Sequence, residues 1–315
     1  MYHDYSLEKI IDHLKTSKKK KFILDTDTYN DIDDQFAITY AMILEDIDVL
    51  AMSASPFNNS HASDTKDSQE KSYDELVRVR DLVDPEGKLG IPCYRGSESY
   101  MKNMITPVVS EAAENIVRIV NETDDIVYIG VIGCFTNIAS ALLLDPSIAD
   151  KAVIVLLGGS SLRCHGCGDF NLHQDVNAAR VIFECGVPVA LLPAIGDECT
   201  DAIYMTNAEV SFYLKDKAGR IGNYLCDIFN KEECSPEKDD DSCESRQRSI
   251  FDIGAVEFVH NPDSFQYEIV PTRTSTPECS WREIKDGRNM IYAKYADRNR
   301  IVSNFFTTIR KAKLK

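Results

Sequence analysis

Residues 21–41 read KFILDTDTYNDIDDQFAITYA, and this stretch decides the fold. A short apolar run at 22–24 passes into five aspartates within ten residues, and the stretch then becomes helical in pattern, with apolar positions at spacings of three and four. The aspartates are Asp25, Asp27, Asp31, Asp33 and Asp34. A buried strand that ends in carboxylates and leads directly into a helix predicts a binding site, because ligands of open α/β sheets lie beyond the carboxyl ends of the strands.

The density of carboxylates in this stretch also predicts a cation. Two unit charges about 4 Å apart interact by roughly 4 kcal/mol at an effective dielectric constant near 20. Several aspartates at one strand end therefore cannot all stay ionised unless their pKa values rise or a cation lies among them. Crowded oxygen ligands favour Ca²⁺ or Mg²⁺ over Zn²⁺. A solvated acidic loop is the alternative, but the apolar strand before it and the helix after it favour a site on a rigid scaffold.

The composition narrows the classes of partner. The chain has 315 residues and a formal net charge of −16, with a sequence pI of about 4.8. This balance argues against nucleic acid or an anionic membrane surface as the main partner. No segment approaches the roughly 20 apolar residues that span a bilayer, and the N-terminal stretch lacks the apolar core of a signal peptide. We therefore expect a cytoplasmic protein whose ten cysteines are mostly free thiols.

Strand patterns alternate with helical patterns along most of the chain. Strands are predicted at 47–54, 91–94, 126–132, 152–157, 187–192, 266–271 and 289–293, after the first one at 22–24. Helices are predicted at 6–15, 32–44, 73–83, 107–121 and 175–185, with one that ends near 144 and one that begins near 296. The alternation predicts an α/β fold, in which a mostly parallel, Rossmann-like central sheet is flanked by helices within a single domain, 1–315.

One stretch interrupts this pattern. Residues 230–249 are polar and have almost nothing to bury, which predicts a mobile or disordered insert. Because the insert directly precedes Asp252, we expect it to act as a lid over a pocket, and lids of this kind exclude water and often limit turnover.

Five segments, in order, resemble the inosine–uridine-preferring nucleoside hydrolases, a family of N-ribohydrolases. They are Asp25-Thr-Asp-Thr-Tyr-Asn-Asp-Ile-Asp-Asp34, the stretch from Val49 to Asn58, Gly133-Cys-Phe-Thr-Asn137, Asp169-Phe-Asn171 with Asp175 and Ala178-Ala179-Arg180, and Phe251-Asp252 with Ala255-Val256. The first segment has the family's aspartate-x-aspartate pair and its double aspartate at a helix start. Its loop is two residues longer than the common Pro-Gly form, which leaves the role of Asp31 open. The matches cover roughly residues 21–262.

The resemblance implies an enzyme that hydrolyses the N-glycosidic bond of ribonucleosides to free base and ribose, in nucleoside salvage. It implies a Ca²⁺ ion held by Asp27, Asp34, the backbone carbonyl of Thr136, and Asp252. Asp27 would also be the general base for a Ca²⁺-bound water that attacks C1′. The groups implied to hold the ribose are Asp33, Asn58, Asp169, Asn171 and Asp252. Because relatives are commonly dimers or tetramers, the resemblance also implies a homo-oligomer.

Three residues depart from the family pattern, and one of them is Arg163, which lies where some relatives have a further asparagine. Position 169 is Asp where Glu is usual, and its side chain is therefore one methylene shorter. Phe251 stands where many relatives have a His that assists the departing base; it could instead stack on the base. The candidate proton donors elsewhere in the sequence are Tyr73, Arg95, His165 and His173.

One further motif, a pair of cysteines, has the spacing of a metal or redox site. Cys164-His-Gly-Cys167 has the spacing of a zinc or redox site, but no second ligand pair follows at convincing spacing, so we interpret it as part of a loop that lines or covers the pocket. No dinucleotide-binding or Walker A motif is present.

Three alternative functions remain open. They are a haloacid-dehalogenase-like phosphatase, which also begins with a strand and Asp-x-Asp, a calcium-binding module, and a nucleoside-binding relative without turnover.

Overall fold

The computed structural model describes residues 6–197, 199–231, 246–312 and 314. Within them the chain forms strands and helices that alternate along most of its length. The strands are β1 (Lys20–Thr26), β2 (Ile47–Ala54), β3 (Cys93–Arg95), β4 (Val127–Val131), β5 (Ala152–Leu157), β6 (Val189–Leu192), β7 (Tyr204–Thr206), β8 (Gln247–Ser249), β9 (Phe265–Pro271), β10 (Arg273–Ser275), β11 (Trp281–Glu283) and β12 (Asn289–Ala296). The α-helices are α1 (Leu7–Leu14), α2 (Asp33–Ile43), α3 (Thr65–Val83), α4 (Glu111–Glu122), α5 (Thr136–Leu144), α6 (Phe170–Gln174), α7 (Val176–Cys185), α8 (Asn207–Leu214), α9 (Gly219–Lys231), α10 (Ile253–His260) and α11 (Arg298–Lys311).

Eight of these strands form the central sheet, in the order β3-β2-β1-β4-β5-β6-β12-β9. All neighbouring pairs are parallel except β12 and β9, which are antiparallel. The predicted single α/β domain with a mostly parallel sheet is therefore confirmed. The remaining strands form two small antiparallel pairs, β7 with β8 and β10 with β11.

Helices cover both faces of the sheet, which explains why its inner strands are continuous apolar runs. Every residue of β4 and of β5 is buried. In β1, Phe22 and Leu24 belong to the core that α2, α3, α10 and α11 cover. Ile23, whose side chain points to the opposite face, belongs to the core that α4, α5 and α7 cover.

The sheet has a topological switch point between β1 and β4. From β1 the chain continues to β2 and β3 on one side, and β4, β5 and β6 follow on the other side. Asp25 of β1 is paired with Val131 of β4, and the N–H of Ile132 donates to the Asp25 carbonyl at 2.9 Å. The aspartate-rich stretch therefore leaves the sheet at the crevice where open α/β sheets bind their ligands.

Some element boundaries differ from the sequence prediction. Helix α3 begins at Thr65, well before the predicted start at 73, because the carboxylate of Asp64 accepts the N–H of Asp67 at 2.9 Å and caps the helix. Residues 65–72, which lie outside the predicted helix, thus form its first two turns, and Ser68, Gln69 and Ser72 among them are buried.

The predicted insert at 230–249 is only partly described. Its described flanks are ordered elements rather than disordered chain, since Asn230 lies in α9 and β8 pairs with β7. Residues 232–245, and with them the predicted lid, lie outside the described residues. None of the described helices combines the length and the apolar character that crossing a bilayer would require.

Candidate active site

The aspartate-rich loop begins where β1 ends and closes into the first turn of α2. The N–H of Asn30 donates to the carbonyl of Asp27 at 2.7 Å, which turns the chain back toward the sheet. Asp33 and Asp34 then occupy the first turn of α2, where the helix dipole favours negative charge. The hydroxyl of Thr26 donates to Asp34 and fixes one of its oxygens.

The third carboxylate of this cluster comes from a distant part of the chain. Asp252 immediately precedes α10, and each of Asp33, Asp34 and Asp252 offers an oxygen within 4.8 Å of the others. All three side chains are buried. Among the described residues this is the one group of three or more histidine, cysteine or acidic side chains close enough to hold a metal ion.

Burial and mutual repulsion disturb the ionisation of these groups. Burial raises the pKa of Asp34 to about 7. Burial, with the charges of Asp34 and Asp33 added to it, raises the pKa of Asp27 well above its usual range. The pKa of Asp252 is raised in the same way, by burial first and then by the neighbouring aspartates. A cation placed among these carboxylates would relieve this repulsion, and carboxylate oxygens are the ligands that Ca²⁺ prefers.

Asp25 supports this cluster from behind. It is fully buried, and its Oδ1 accepts hydrogen bonds from the hydroxyl of Ser53 at 2.5 Å and from the side-chain amide of Asn137 at 2.8 Å. The amide oxygen of Asn137 in turn accepts the N–H of Ser97 at 2.8 Å. The Thr136-Asn137 turn after β4 therefore holds the Asp25 carboxylate in place beneath the site.

The carboxylates open into a cavity of about 420 Å³. By composition its wall has a polar half, made of acidic and amide side chains together with Ile132, and an apolar half that is partly aromatic. The polar residues are Asp27, Asn30, Asp31, Asp33, Asp34, Asn59, Asp169, Asn171 and Asp252. The apolar residues are Leu157, Phe170, Ala194, Ile195 and Phe251.

Asp169 and Asn171 reach the cavity from the start of α6. Asp169 caps this helix, and its Oδ1 accepts the N–H of Gly159 at 2.6 Å and that of Leu172 at 3.0 Å. Its carboxylate is thus already engaged by its own loop. Asn171 instead turns toward β4, where its side-chain amide donates to the carbonyl of Ile132 at 2.6 Å.

Two residues implied by the resemblance lie elsewhere. Thr136 starts α5, so its carbonyl faces the next turn of that helix, and its hydroxyl donates to Asp175 at 2.6 Å instead of approaching the cavity. Ile132, directly beyond the end of β4, lines the cavity from this part of the chain, and its carbonyl accepts the side-chain amide of Asn171. Asn58 is exposed, and its neighbour Asn59 lines the cavity in its place.

Sequence reasoning also missed Asn30 and the apolar side chains Phe170 and Ile195. The rule that ligands lie beyond strand ends could have identified Ile132, the last residue of a predicted strand. The Asn30–Asn59 pair, joined by a hydrogen bond of 2.7 Å, carries no comparable sequence signal because it depends on two loops meeting.

None of the four proposed proton donors lines the cavity. Arg95 lies over the ring of Tyr73 at 3.8 Å and pairs with Glu70, on the outer side of α3. His165 and His173 are exposed. Within the described part of the chain, the cavity wall contains no histidine, tyrosine, lysine, arginine or cysteine.

A mostly parallel sheet with buried carboxylates and a partly apolar cavity at its switch point places the chain among α/β proteins with a ligand cleft, and three of the carboxylates lie close enough together to hold a cation. Comparison with known proteins is more specific. The family model "Inosine-uridine preferring nucleoside hydrolase" matches residues 22–303, and the chain belongs to this family. It is therefore an N-glycosyl hydrolase of ribonucleosides, which confirms the predicted enzyme class and makes the phosphatase alternative wrong.

Relatives that are named for an activity are similar to part of this chain. The "Probable uridine nucleosidase 2" of Arabidopsis thaliana is 26% identical over 236 residues, which are 67% of this chain and 69% of that protein. The "Pyrimidine-specific ribonucleoside hydrolase RihB" of Escherichia coli O1:K1 is 30% identical over 128 residues, 38% of each chain.

Solved structures cover more of the chain at lower identity. A purine-preferring ribonucleoside hydrolase from Gardnerella vaginalis superposes with a TM-score of 0.72 at 21% identity, and a plant nucleoside hydrolase with 0.71 at 18%. Each match covers 93% of this chain and 99% of the other. At these identities the similarity shows the fold.

Proposed function

We propose that this enzyme hydrolyses the N-glycosidic bond of ribonucleosides with Ca²⁺ as its cation and Asp27 as its general base. The observation that carries the proposal is the convergence of Asp27, Asp33, Asp34 and Asp252, all buried, on one cavity at the switch point of the sheet. One oxygen of Asp27, Oδ2, is buried without a hydrogen-bond partner, as expected for an atom that meets a cation or a reacting water.

The donor set fits a hard cation. Asp27, Asp34 and Asp252 would supply carboxylate oxygens, and the carbonyl of Ile132 would take the place first given to Thr136. These ligands are all oxygens, which favours Ca²⁺ over softer metals. When bound, the ion would engage the 2′- and 3′-hydroxyls of the ribose and lower the pKa of a water molecule.

Side chains of the enzyme carry out the remaining steps. Asp27 Oδ2 removes a proton from the water that attacks C1′. Asp33 accepts a hydrogen bond from the 2′-hydroxyl, and Asn171 lies near the 3′-hydroxyl. Because cleavage passes through an oxocarbenium-like transition state, the carboxylates around the ring stabilise the developing positive charge.

The apolar half of the cavity accepts the base. Phe170 and Phe251 offer aromatic surface for stacking, and Leu157, Ala194 and Ile195 complete an apolar wall. Side chains of Asn30 and Asn59 stand at the polar edge of the same cavity and can hydrogen-bond a base.

One observation favours a second candidate function. No histidine, tyrosine, lysine, arginine or cysteine lines the cavity within the described residues, and we assign its carboxyls to the cation and the ribose, so a natural base would depart without assistance from these side chains. A nucleoside-binding protein with little or no turnover of natural nucleosides fits the same geometry. A cytoplasmic location, a role in salvage, assembly into oligomers and the lack of nucleic-acid or membrane partners stay predictions.

A direct assay separates the two functions. The protein is incubated with inosine, uridine and p-nitrophenyl riboside, with and without a chelator, and the release of reducing sugar is measured. Ribose release that stops on chelation and returns with Ca²⁺ supports the proposal. Ca²⁺-dependent nucleoside binding without ribose release from any of the three would instead support the non-hydrolysing relative.

A further inference from the structure

We propose that Cys167 and Cys279 form a disulfide when the protein meets a low-molecular-mass disulfide, and that this bond displaces the loop carrying Asp169 and Asn171. The formation of the bond is independent of the enzyme's reaction. Its effect on turnover rests on the function proposed above.

The two thiols already face each other. Their Sγ atoms lie 3.7 Å apart, although 112 residues separate them in the chain. The N–H of Cys167 donates to the carbonyl of Cys279 at 2.9 Å, and Gly166 and Ser280 form an antiparallel bridge beside them. Residues opposite each other in antiparallel segments have Cα atoms about 4.5–5.5 Å apart, within the range that disulfides require.

The exposure of the two cysteines sets the order of events. Cys167 is completely buried, whereas Cys279 is partly exposed and can meet a reagent from solvent. The thiolate of Cys279 attacks one sulfur of oxidised glutathione, forms a mixed disulfide and releases one glutathione thiolate. The thiolate of Cys167 then attacks the Cys279 sulfur and releases the second glutathione.

The exchange is balanced without any other reagent. Two protein thiols lose two electrons and two protons, and one glutathione disulfide becomes two glutathione thiols. Burial raises the pKa of Cys279, and it raises that of Cys167 to about 12, so little thiolate is present at neutral pH. The rate of the exchange should therefore increase as the pH rises.

The pair is connected to the active site by a short stretch of chain. A Cβ atom built on Gly168 would lie 3.2 Å from the Cys279 sulfur, so this glycine packs directly on the second thiol. The next residue, Asp169, caps α6 and holds the N–H of Gly159. When the sulfurs close from 3.7 Å to about 2 Å, the Cys279 sulfur changes its contact with Gly168, and we expect this to shift the chain that leads into Asp169.

A tryptophan reports on the same contact. Trp281 lies two positions after Cys279, donates from Nε1 to the carbonyl of Ser160 at 3.0 Å and packs against Gly159. It is the single tryptophan of the chain, so any change in tryptophan fluorescence comes from this region alone.

The neighbouring Cys164 gives the main competing assignment, a disulfide within the Cys164-His-Gly-Cys167 motif. Cys164 is exposed and carries the spacing of redox motifs. In the described part of the chain, no group of three potential metal ligands includes any of these cysteines, so a zinc site is not supported.

The experiment uses the full chain, treated with oxidised glutathione at mildly alkaline pH and then alkylated, digested without reduction and analysed by mass spectrometry. We expect a peptide pair joined through Cys167 and Cys279, a change in Trp281 fluorescence, and a kcat for p-nitrophenyl riboside lower by about tenfold. Dithiothreitol should reverse all three. Cys279→Ser and Cys167→Ala should each abolish the response, and Cys164→Ser, the matched control, should leave it unchanged.

Absence of the joined peptide, or a bond between Cys164 and Cys167 instead, would overturn the proposal. A joined peptide with unchanged kcat would overturn the link to the active-site loop. If the untreated protein hydrolyses no riboside, the proposed function fails, while the peptide and fluorescence readouts still decide whether the disulfide forms.

Discussion

Asp27 is the residue on which the proposed chemistry depends most directly. It is 1% exposed, follows β1 immediately and keeps one oxygen unpaired among like charges. We predict that Asp27→Asn lowers kcat by about 10³-fold, because the amide keeps the size of the side chain but cannot accept a proton from water. Steady-state kinetics with p-nitrophenyl riboside at saturating Ca²⁺ measures this.

Asp31 provides the control for that variant. Its side chain is 49% exposed and pairs with Arg248 of β8 at 2.5 Å, at the edge of the same cavity. Asp31→Asn removes one charge from the same loop without touching the reacting water, so the loss of kcat should be small by comparison. Near-normal kcat in Asp27→Asn would remove the general-base assignment, and equal losses in both variants would point to loop charge instead.

The absence of a histidine, tyrosine, lysine, arginine or cysteine from the described cavity wall predicts a distinctive substrate ranking. A nitrophenolate departs as a stable anion, whereas a purine or pyrimidine base departs far more readily after protonation. General acid catalysis contributes about 10²–10⁴-fold, so kcat/KM for p-nitrophenyl riboside should exceed that for inosine and uridine by at least about 100-fold. Stopped assays of each riboside under one set of conditions measure the ratio.

A single substitution, Phe251→His, tests whether a missing proton donor limits the departure of natural bases. Phe251 lines the apolar half of the cavity, at the position where many relatives have a histidine. Phe251→His should raise kcat/KM for inosine or uridine and leave that for p-nitrophenyl riboside little changed. Comparable rates for all three ribosides in the natural enzyme would show that a donor outside the described wall operates.

At the scale of elements, Asp175 joins three parts of the fold beneath the site. Its Oδ1 accepts the N–H of Ala178 at 3.0 Å and caps α7. Its Oδ2 accepts the hydroxyl of Thr136 at 2.6 Å and the N–H of Met101 at 2.8 Å. One carboxylate thus links the start of α5, the start of α7 and the loop after β3.

We predict that Asp175→Ala lowers the free energy of unfolding by about 3 kcal/mol, because it removes a helix cap and leaves buried donors without an acceptor. Urea denaturation followed by circular dichroism measures the change. Asp64→Ala, which removes the exposed cap of α3, is the matched control and should cost about 1 kcal/mol. Equal losses in the two variants would mean that the buried links contribute nothing beyond the cap.

Strands with long apolar runs were predictable from sequence, and of the five described strands with three residues only β3 was predicted, at 91–94. Strands β4 and β5 are continuous buried runs and were found close to their true bounds. Strands β7, β8, β10 and β11 have three residues each, too few for any periodicity to be recognised. The hairpin that brings Trp281 against Gly159 was missed for this reason.

The site was predictable where side chains carry the chemistry. Asp33, Asp34 and Asp252 stand in recognisable motifs, and the structure brings them together. Backbone groups carry no such signal, and the proposal of the Ile132 carbonyl in place of that of Thr136 depends on the fold, in which Ile132 lines the cavity. Contacts such as that between Cys167 and Cys279 require the tertiary fold to be known.

At the scale of the whole molecule, the carboxylate cluster couples stability to pH and to the cation. Without a bound cation, burial raises the pKa of Asp34 to about 7 and raises those of Asp27, Asp33 and Asp252 as well. In the unfolded chain these groups ionise near pH 4. Between about pH 4 and pH 7 the folded state therefore binds more protons than the unfolded state, and the stability of metal-depleted protein falls as pH rises through this window.

Calcium should replace those protons, so its stabilising effect should grow with pH across the same window. At pH 5 the carboxyls are largely protonated and compete with the ion, and we expect little change in Tm when Ca²⁺ is added to dialysed, metal-depleted protein. At pH 8, with Ca²⁺ at about 100 times its Kd, the gain of about 2.7 kcal/mol should raise Tm by about 4 °C. Calorimetry at the two pH values measures both shifts, and Asp252→Asn should reduce the shift at pH 8. An equal rise in Tm at pH 5 and pH 8 would show that Ca²⁺ binds elsewhere, because protons compete with Ca²⁺ for these carboxylates and the affinity of this site must fall at low pH.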